Sequence, residues 1–275
     1  MVDIKELIRL ALEEDIGSGD VTSEALIGPD RVATAVIFAK EDLILAGLKV
    51  AQEVFFTLDS GVLFETIFQD GDRVESGSEI LRARGKLRAL LAGERTALNF
   101  LQRLSGIATL TRHCVDRVKG FGVQVTDTRK TTPGWRRLEK YAVRMGGGHN
   151  HRFGLYDGVL IKDNHILACG GISEAVNRAR ARKPHLLQIE VEASDLDQVK
   201  EALENGADVI MLDNMSLEDI RKAVTLIQRR ALIEVSGGVT LDTLAELADT
   251  GVDIVSMGAI THSPRAVDIS MRIVV

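Results

Sequence analysis

The chain opens on "IKELIRLALEED", whose apolar residues fall at helical spacing, and passes through "IGSGDVTSEAL" into "ATAVIFAKED" and "LILAGL", short apolar runs that predict strands. A helix-like "KVAQEVFFTL" and the strand-rich "LFETIFQDGDRVESGSEILRARGKLRALLAG" follow. Helices beside antiparallel-type strands predict an α+β region over roughly the first hundred residues. From Gly93, the apolar positions Ala97, Leu98, Leu101, Leu104, Ala108, Cys114, Val115 and Val118 predict one long helix. The pattern then changes. Six apolar runs, "VQVTD", "DGVLIK", "LLQIEVE", "DVIML", "ALIEVSGG" and "DIVSMG", alternate with helical stretches. From the third run onward they recur about every twenty residues, the length of a compact βα step. Ser194 with Asp197, and Ser216 with Asp219, mark two helix starts by the spacing of a serine cap and an acid three residues on.

Sustained βα alternation predicts a parallel sheet with its helices outside. What ends each strand decides the architecture. The six runs finish in Asp127-Thr128-Arg129-Lys130, Lys162-Asp163-Asn164, Glu190 and Glu192, Asp213-Asn214, Ser236-Gly237-Gly238 and Gly258. Reactive residues at successive C-terminal strand ends mark the functional face of an α/β barrel, whereas an open doubly wound sheet gathers them at one switch point. Six strands predict an open, incomplete barrel. In the first part, "GDRVESGSEILRARG" resembles the hairpin of biotinyl and lipoyl carriers, but no lysine stands at its turn.

Composition narrows the function. The 275 residues, 45% of them hydrophobic, suffice to bury a core. A net charge of −6 and a pI near 5.6 argue against nonspecific nucleic-acid binding. Within that acidic chain, Arg129, Lys130, Arg136, Arg137, Lys140, Arg144, Arg152 and Lys162 crowd a short span with the Gly146-Gly147-Gly148 run, as a pocket for a small anion would require. Cys114 and Cys169 form no CxxC pair and are expected to be small buried groups in a reducing compartment. The N-terminal helix lacks the marks of a signal peptide and no apolar run reaches membrane-spanning length, so a cytoplasmic protein is expected.

Taken as one site, the strand ends bring Arg129, Lys130, His151, Arg152 and Lys162 together with two carboxylates, Glu192 and Asp213. A pocket for multiply charged anions keeps carboxylates only for a divalent metal or for sugar hydroxyls, so a phosphorylated sugar with Mg²⁺ fits. Ser236-Gly237-Gly238 and Met257-Gly258-Ala259 offer unobstructed backbone N–H groups for phosphate before a helix. Duller readings stand beside these. Arg136, Arg137, Lys140 and Arg144 suit the solvated face of a helix after Pro133-Gly134. His149 and His151 suggest a metal pair but show no third ligand in the sequence. Glu190 and Glu192 alternate with Ile189 and Val191 and should face the same side of their strand.

The strings "TRKTTPG", "LEKYAV", "GGGHNHR" and "LIKDNHI", with "EDIGSGDVTS", "GERTALNFLQRLSGIAT", "EVEASDLDQ", "GADVIMLDNM", "EVSGGV" and "SMGAITHS", closely resemble the quinolinate phosphoribosyltransferase family along the whole chain. No motif position departs from the family pattern; Trp135, where many relatives carry an aliphatic residue, touches none of the catalytic positions the resemblance implies. The resemblance implies an N-terminal α/β sandwich over residues 1–108, rejoined by the tail 265–275, and an open α/β barrel over 109–264. It implies a homodimer in which Arg95 reaches the partner's site. It implies quinolinate held by that Arg95 with Thr128, Arg129, His151, Arg152 and Lys162. Phosphoribosyl pyrophosphate and Mg²⁺ would sit near Lys130, Glu192, Asp213, Ser236, Gly237, Gly238, Met257, Gly258 and Ala259, with Lys130, Lys162, Glu192 and Asp213 catalytic. The implied reaction yields nicotinate mononucleotide, pyrophosphate and carbon dioxide and needs no organic cofactor. Three competitors remain open: a molybdenum-transport-associated relative of the same fold, a Schiff-base aldolase using Lys162, and a non-catalytic carrier or anion-binding module.

Overall fold

The computed structural model describes residues 3–274. Its elements fall into two compact units. One comprises the chain up to Arg112, Thr132–Gly147 and the chain from Ser263 onward; the other comprises His113–Thr131 and Gly148–His262.

The first unit begins with α1 (Ile4–Ile16) and α2 (Val21–Leu26), whose N-termini are capped by the carboxylates of Asp3 and Asp20. β1 (Val32–Ala39), β2 (Leu43–Ile44), α3 (Leu48–Leu58), β3 (Leu63–Glu65), β4 (Arg73–Val74) and β5 (Glu79–Lys86) follow, and α4 runs from Leu87 to Arg117. The long helix therefore starts six residues before the expected Gly93. Leu87-Arg88-Ala89-Leu90-Leu91-Ala92 are strong helix formers with no breaker among them, so the helix begins where β5 stops.

After β6 (Gln124–Thr126), α5 (Arg136–Met145) also belongs to the first unit, although it lies inside the segment expected to be barrel. Its Leu138, Ala142 and Val143 are buried, Trp135 stacks on Phe100 at 4.7 Å, and fully buried Glu139 accepts from Arg103 at 2.9 Å. Lys140 is 1% exposed, which corrects its expected place on a solvated face. The tail strand β12 (Ile269–Val274) pairs antiparallel with β1, giving a sheet of order β12-β1-β5-β3, so the tail does return to this unit.

The second unit contains β6, β7 (Val159–Ile161), α6 (Asp163–Cys169), α7 (Ile172–Arg182), β8 (Ile189–Ala193), α8 (Leu196–Glu204), β9 (Val209–Asp213), α9 (Leu217–Ile227), β10 (Leu232–Ser236), α10 (Leu244–Ala248), β11 (Ile254–Ser256) and α11 (Ala259–His262). All six expected strands form one parallel sheet of order β6-β11-β10-β9-β8-β7. β6 and β7 are its two edges and are not joined by a ladder, which leaves the barrel open. Ser216 caps α9 as the serine–acid spacing requires, but at α8 the cap is Asp195, which accepts from Gln198 N. Cys114 is buried and its thiol is pushed up to about 11 by burial; Cys169, at the end of exposed α6, is only half-buried.

Gly146 ends α5 with an ordinary helical φ of −70°, so it is space and not backbone freedom that demands glycine there. A Cβ at this position would stand 2.5 Å from both the Ala108 carbonyl oxygen and Thr111 Cβ. Gly146→Ala is predicted to lower unfolding free energy by about 1–3 kcal/mol, the cost of overpacking a tight contact. Urea denaturation checks this, and unchanged stability would contradict the close approach.

Candidate active site

Asp127, at the end of β6, is completely buried and accepts hydrogen bonds from Asn150 Nδ2 at 2.7 Å and His151 N at 3.0 Å. A single parallel bridge joins Thr126 to His149. The "HNHR" stretch is thereby pinned along the outer edge of β6, and Arg152 follows directly on this anchor. Its guanidinium donates to the Gly158 carbonyl at 3.2 Å.

The strand ends surround a cavity of about 550 Å³. Thr128, Arg129 and Lys130 line it beyond β6, His151 and Arg152 from the pinned stretch, and Lys162 beyond β7. Glu192 reaches it from β8 and Asp213 from β9, while Ser236, Gly237 and Gly238 close it after β10. Strand register sets the heights: Asp213 pairs with Ser236, whereas Glu192 pairs with Met211, one inward-facing step below Asp213. Lys162 Nζ lies 2.9 Å from Glu192 Oε2, and Asn214 Nδ2 donates to Asp213 Oδ2 at 2.8 Å.

Two expected groups lie elsewhere. Arg95 is exposed on α4 in the first unit and is not part of the lining. Met257, Gly258 and Ala259 are also outside it, and buried Ser256 lines the cavity from β11 instead. The Gly258 turn supports Lys130 from behind. A Cβ there would come within 3.0 Å of Lys130 Cδ, and Thr261 Oγ1 donates to the Lys130 carbonyl at 2.8 Å.

The expected phosphate cradle needs a similar adjustment. Gly238 is separated from α10 by five residues, 239–243, so the cradle is a loop and not a helix start. Gly237 has φ +89°, and a Cβ there would sit 2.3 Å from Asn214 Oδ1, so only glycine fits.

Electrostatically the cavity is divided. At its mouth Arg129, Lys130, Arg152 and Lys162 outnumber Glu192 and Asp213. Burial, and next the neighbouring Arg129 charge, hold the Arg152 guanidinium below its usual pKa. Beneath lies an acidic floor. His151 Nε2 is 3.1 Å from Glu190 Oε2 and 3.6 Å from Glu234 Oε1, and His151 Nδ1 accepts from Arg152 N at 2.8 Å. With Nδ1 an acceptor, the imidazole carries its proton on Nε2 and is a fixed part of the protein. Glu190 and Glu192 do face the barrel interior together, Glu192 toward this cavity and Glu190 toward a second one of about 740 Å³ among the first residues of the strands.

Glu234 was not among the residues expected from sequence. The signal was present, since a carboxylate between Ile233 and Val235 of an apolar strand shares the inward side with Ser236. Its side chain is 3% exposed. Burial, then the Glu190 charge, push the Glu234 carboxyl up to about 7. A folded-state pKa above the unfolded value means this group's stabilising contribution is complete below about pH 4.5 and is lost as pH rises to about 7. Glu234→Gln is therefore predicted to gain stability over wild type across that window, by roughly 2–3 kcal/mol at its upper end. Denaturant titrations at a series of pH values measure it; a difference independent of pH would contradict the buried acid.

Two family models together cover nearly all of the chain: the quinolinate phosphoribosyl transferase N-terminal domain at residues 20–105 and its C-terminal domain at 107–272. A probable carboxylating nicotinate-nucleotide pyrophosphorylase from Bacillus subtilis is 47% identical, over 99% of this chain and 94% of its own. A decarboxylating quinolinate phosphoribosyltransferase from Nicotiana tabacum is 42% identical over 98% of this chain and 82% of its own. The crystal structure of NadC from Streptococcus pyogenes superposes with a TM-score of 0.95 at 45% identity, covering 99% of this chain and 98% of that one. By its fold, its ordered motifs and these full-length likenesses, the chain belongs to the quinolinate phosphoribosyltransferase family.

Proposed function

We propose that the upper cavity joins quinolinate to the ribose of phosphoribosyl pyrophosphate and then releases one carboxylate, giving nicotinate mononucleotide, pyrophosphate and carbon dioxide in NAD biosynthesis. The observation that carries the reading is Arg129 beside Arg152 in one half-buried cavity. Two neighbouring guanidiniums in a partly desolvated place can grip an anion with two charges, and adjacent carboxylates on one ring supply it.

Thr128, Arg129, Arg152 and Lys162 hold the two carboxylates. His151 contributes by fixing Arg152, since its own ring nitrogens are engaged by Arg152 N and Glu190. The ring nitrogen attacks the anomeric carbon as pyrophosphate departs, so positive charge develops on the ribose. Glu192 and Asp213 face that charge, and Lys130 with the N–H groups of Gly237 and Gly238 receives the leaving pyrophosphate. Mg²⁺ suits Glu192 and Asp213, hard oxygen donors that each have a second oxygen outside the Lys162 and Asn214 contacts. When bound, it neutralises phosphate charge. No organic cofactor is called for, because the ribosylated ring nitrogen is itself an electron sink.

Exposed Arg95, outside the lining of its own chain's cavity, suits a homodimer in which it completes the partner's quinolinate site. Among the described residues no helix is long and apolar enough to cross a membrane, and two unpaired cysteines suit a reducing cytoplasm. The molybdenum-associated alternative is not favoured beside full-length relatives named for the pyridine-nucleotide reaction.

Arg152→Ala is predicted to weaken quinolinate binding by about 2–4 kcal/mol, as removing one partner of a desolvated charge pair does. Calorimetric titration measures this, and unchanged affinity would remove the anion-site assignment. Mixing inactive Arg95→Ala with inactive Lys162→Ala subunits should restore activity in heterodimers. No recovery after verified subunit exchange would contradict the shared site.

A further inference from the structure

Below the substrate groups, the barrel interior holds a cluster that binding two anions does not use. One donor atom from each of His151, Glu190 and Glu234 lies within 4.8 Å of the other two. Glu190 Oε1 and Glu234 Oε1 are buried without a hydrogen-bond partner. Leaving a carboxylate oxygen so is costly unless a proton sits on it or between the two groups. His151, Arg152 and Glu234 line both the upper and the lower cavity, and Glu190 lines the lower one. The cluster is therefore the partition between the site and a second opening to solvent.

The reaction proposed above needs a proton at this place. When the ring carbon next to the ribosylated nitrogen loses its carboxylate, the carbon–carbon bond breaks, carbon dioxide leaves, and the electron pair stays on the ring carbon. One proton must then arrive. The cations at the mouth are poor sources, because a proton taken from Lys130 or Lys162 would erase charge that holds the phosphates and the remaining carboxylate.

We infer that Glu234, with a buried Oε1 that has no hydrogen-bond partner and a side chain on the wall of both cavities, delivers a proton to the ring carbon and is reloaded from solvent through the lower cavity. The groups facing Glu234 are Glu190 from β8, His151 from the pinned stretch and Ser256 from β11, with Arg152 acting on Glu190 from above. Burial, and next the neighbouring Glu190 carboxylate, favour the protonated form of Glu234. The His151 Nε2–H donates to Glu190 and leaves the Glu234 oxygen as the acidic group on the upper cavity. After transfer the Glu234 carboxylate regains a proton from water in the lower cavity, which it lines directly, and the cycle closes.

Single-turnover experiments separate the two chemical steps. In wild type, pyrophosphate and carbon dioxide should appear together. Glu234→Gln is predicted to bind quinolinate within about threefold of wild type and to release a burst of pyrophosphate, while carbon dioxide follows on the order of 100-fold more slowly, the usual worth of a general acid. The dicarboxylated nucleotide should accumulate meanwhile, and Glu234→Asp should restore part of the rate. Glu190→Gln, which keeps Glu234 but removes the carboxylate beside it, should shift the pH at which carbon dioxide release falls off; should Glu234→Gln fail to fold, this shift carries the test. Wild-type rates of carbon dioxide release in Glu234→Gln would overturn the inference, as would parallel loss of quinolinate binding and activity in a folded variant, or an unshifted profile in Glu190→Gln. A wild-type enzyme that makes no nicotinate mononucleotide at all would instead overturn the reaction on which the inference rests.

Discussion

Asp127 is the constraint on which the site depends. A fully buried carboxylate must be met by donors, and the backbone and side-chain N–H groups that meet it belong to Asn150 and His151. That requirement, with the single bridge from His149 to Thr126, fastens the stretch to the edge of an open barrel. Arg152 at the mouth and His151 in the interior are thereby held in place by the fold's own hydrogen bonds, which offset part of the cost of gathering charge there.

The site is layered along the strands. Cations and glycine N–H groups stand at the mouth, Glu192 and Asp213 occupy successive levels set by strand register, and Glu190 with Glu234 lies beneath. In the reaction we propose, each level matches a charge: anions at the top, developing positive charge on the ribose in the middle, and a proton from below. An open barrel suits this arrangement because its parallel strands send side chains inward at alternating heights from every direction.

Much of this was legible in the sequence. All six barrel strands were marked by apolar runs ending in polar clusters, and Glu190 and Glu192 were placed on one face by their alternation alone. What sequence did not disclose depended on partners distant along the chain. Lys140 reads as a surface charge because nothing local shows that α5 packs beside α4. Glu234 read as part of an apolar strand, and its meaning arises only where Glu190 and His151 converge on it. The start of α4 was missed because continuous helix formers leave no cap to read, and Ser194 was taken for a cap although its neighbour Asp195 carries the bond. The Met257–Ala259 turn was expected on the cavity wall, yet it stands one shell behind, against Lys130.

In the proposed function this one cavity carries out both ribosyl transfer and decarboxylation. Incubating the purified protein with quinolinate, phosphoribosyl pyrophosphate and Mg²⁺, and following the products by NMR, tests it most directly. Nicotinate mononucleotide, pyrophosphate and carbon dioxide should form in equal amounts. Formation of none of them, with both substrates demonstrably bound, would contradict it.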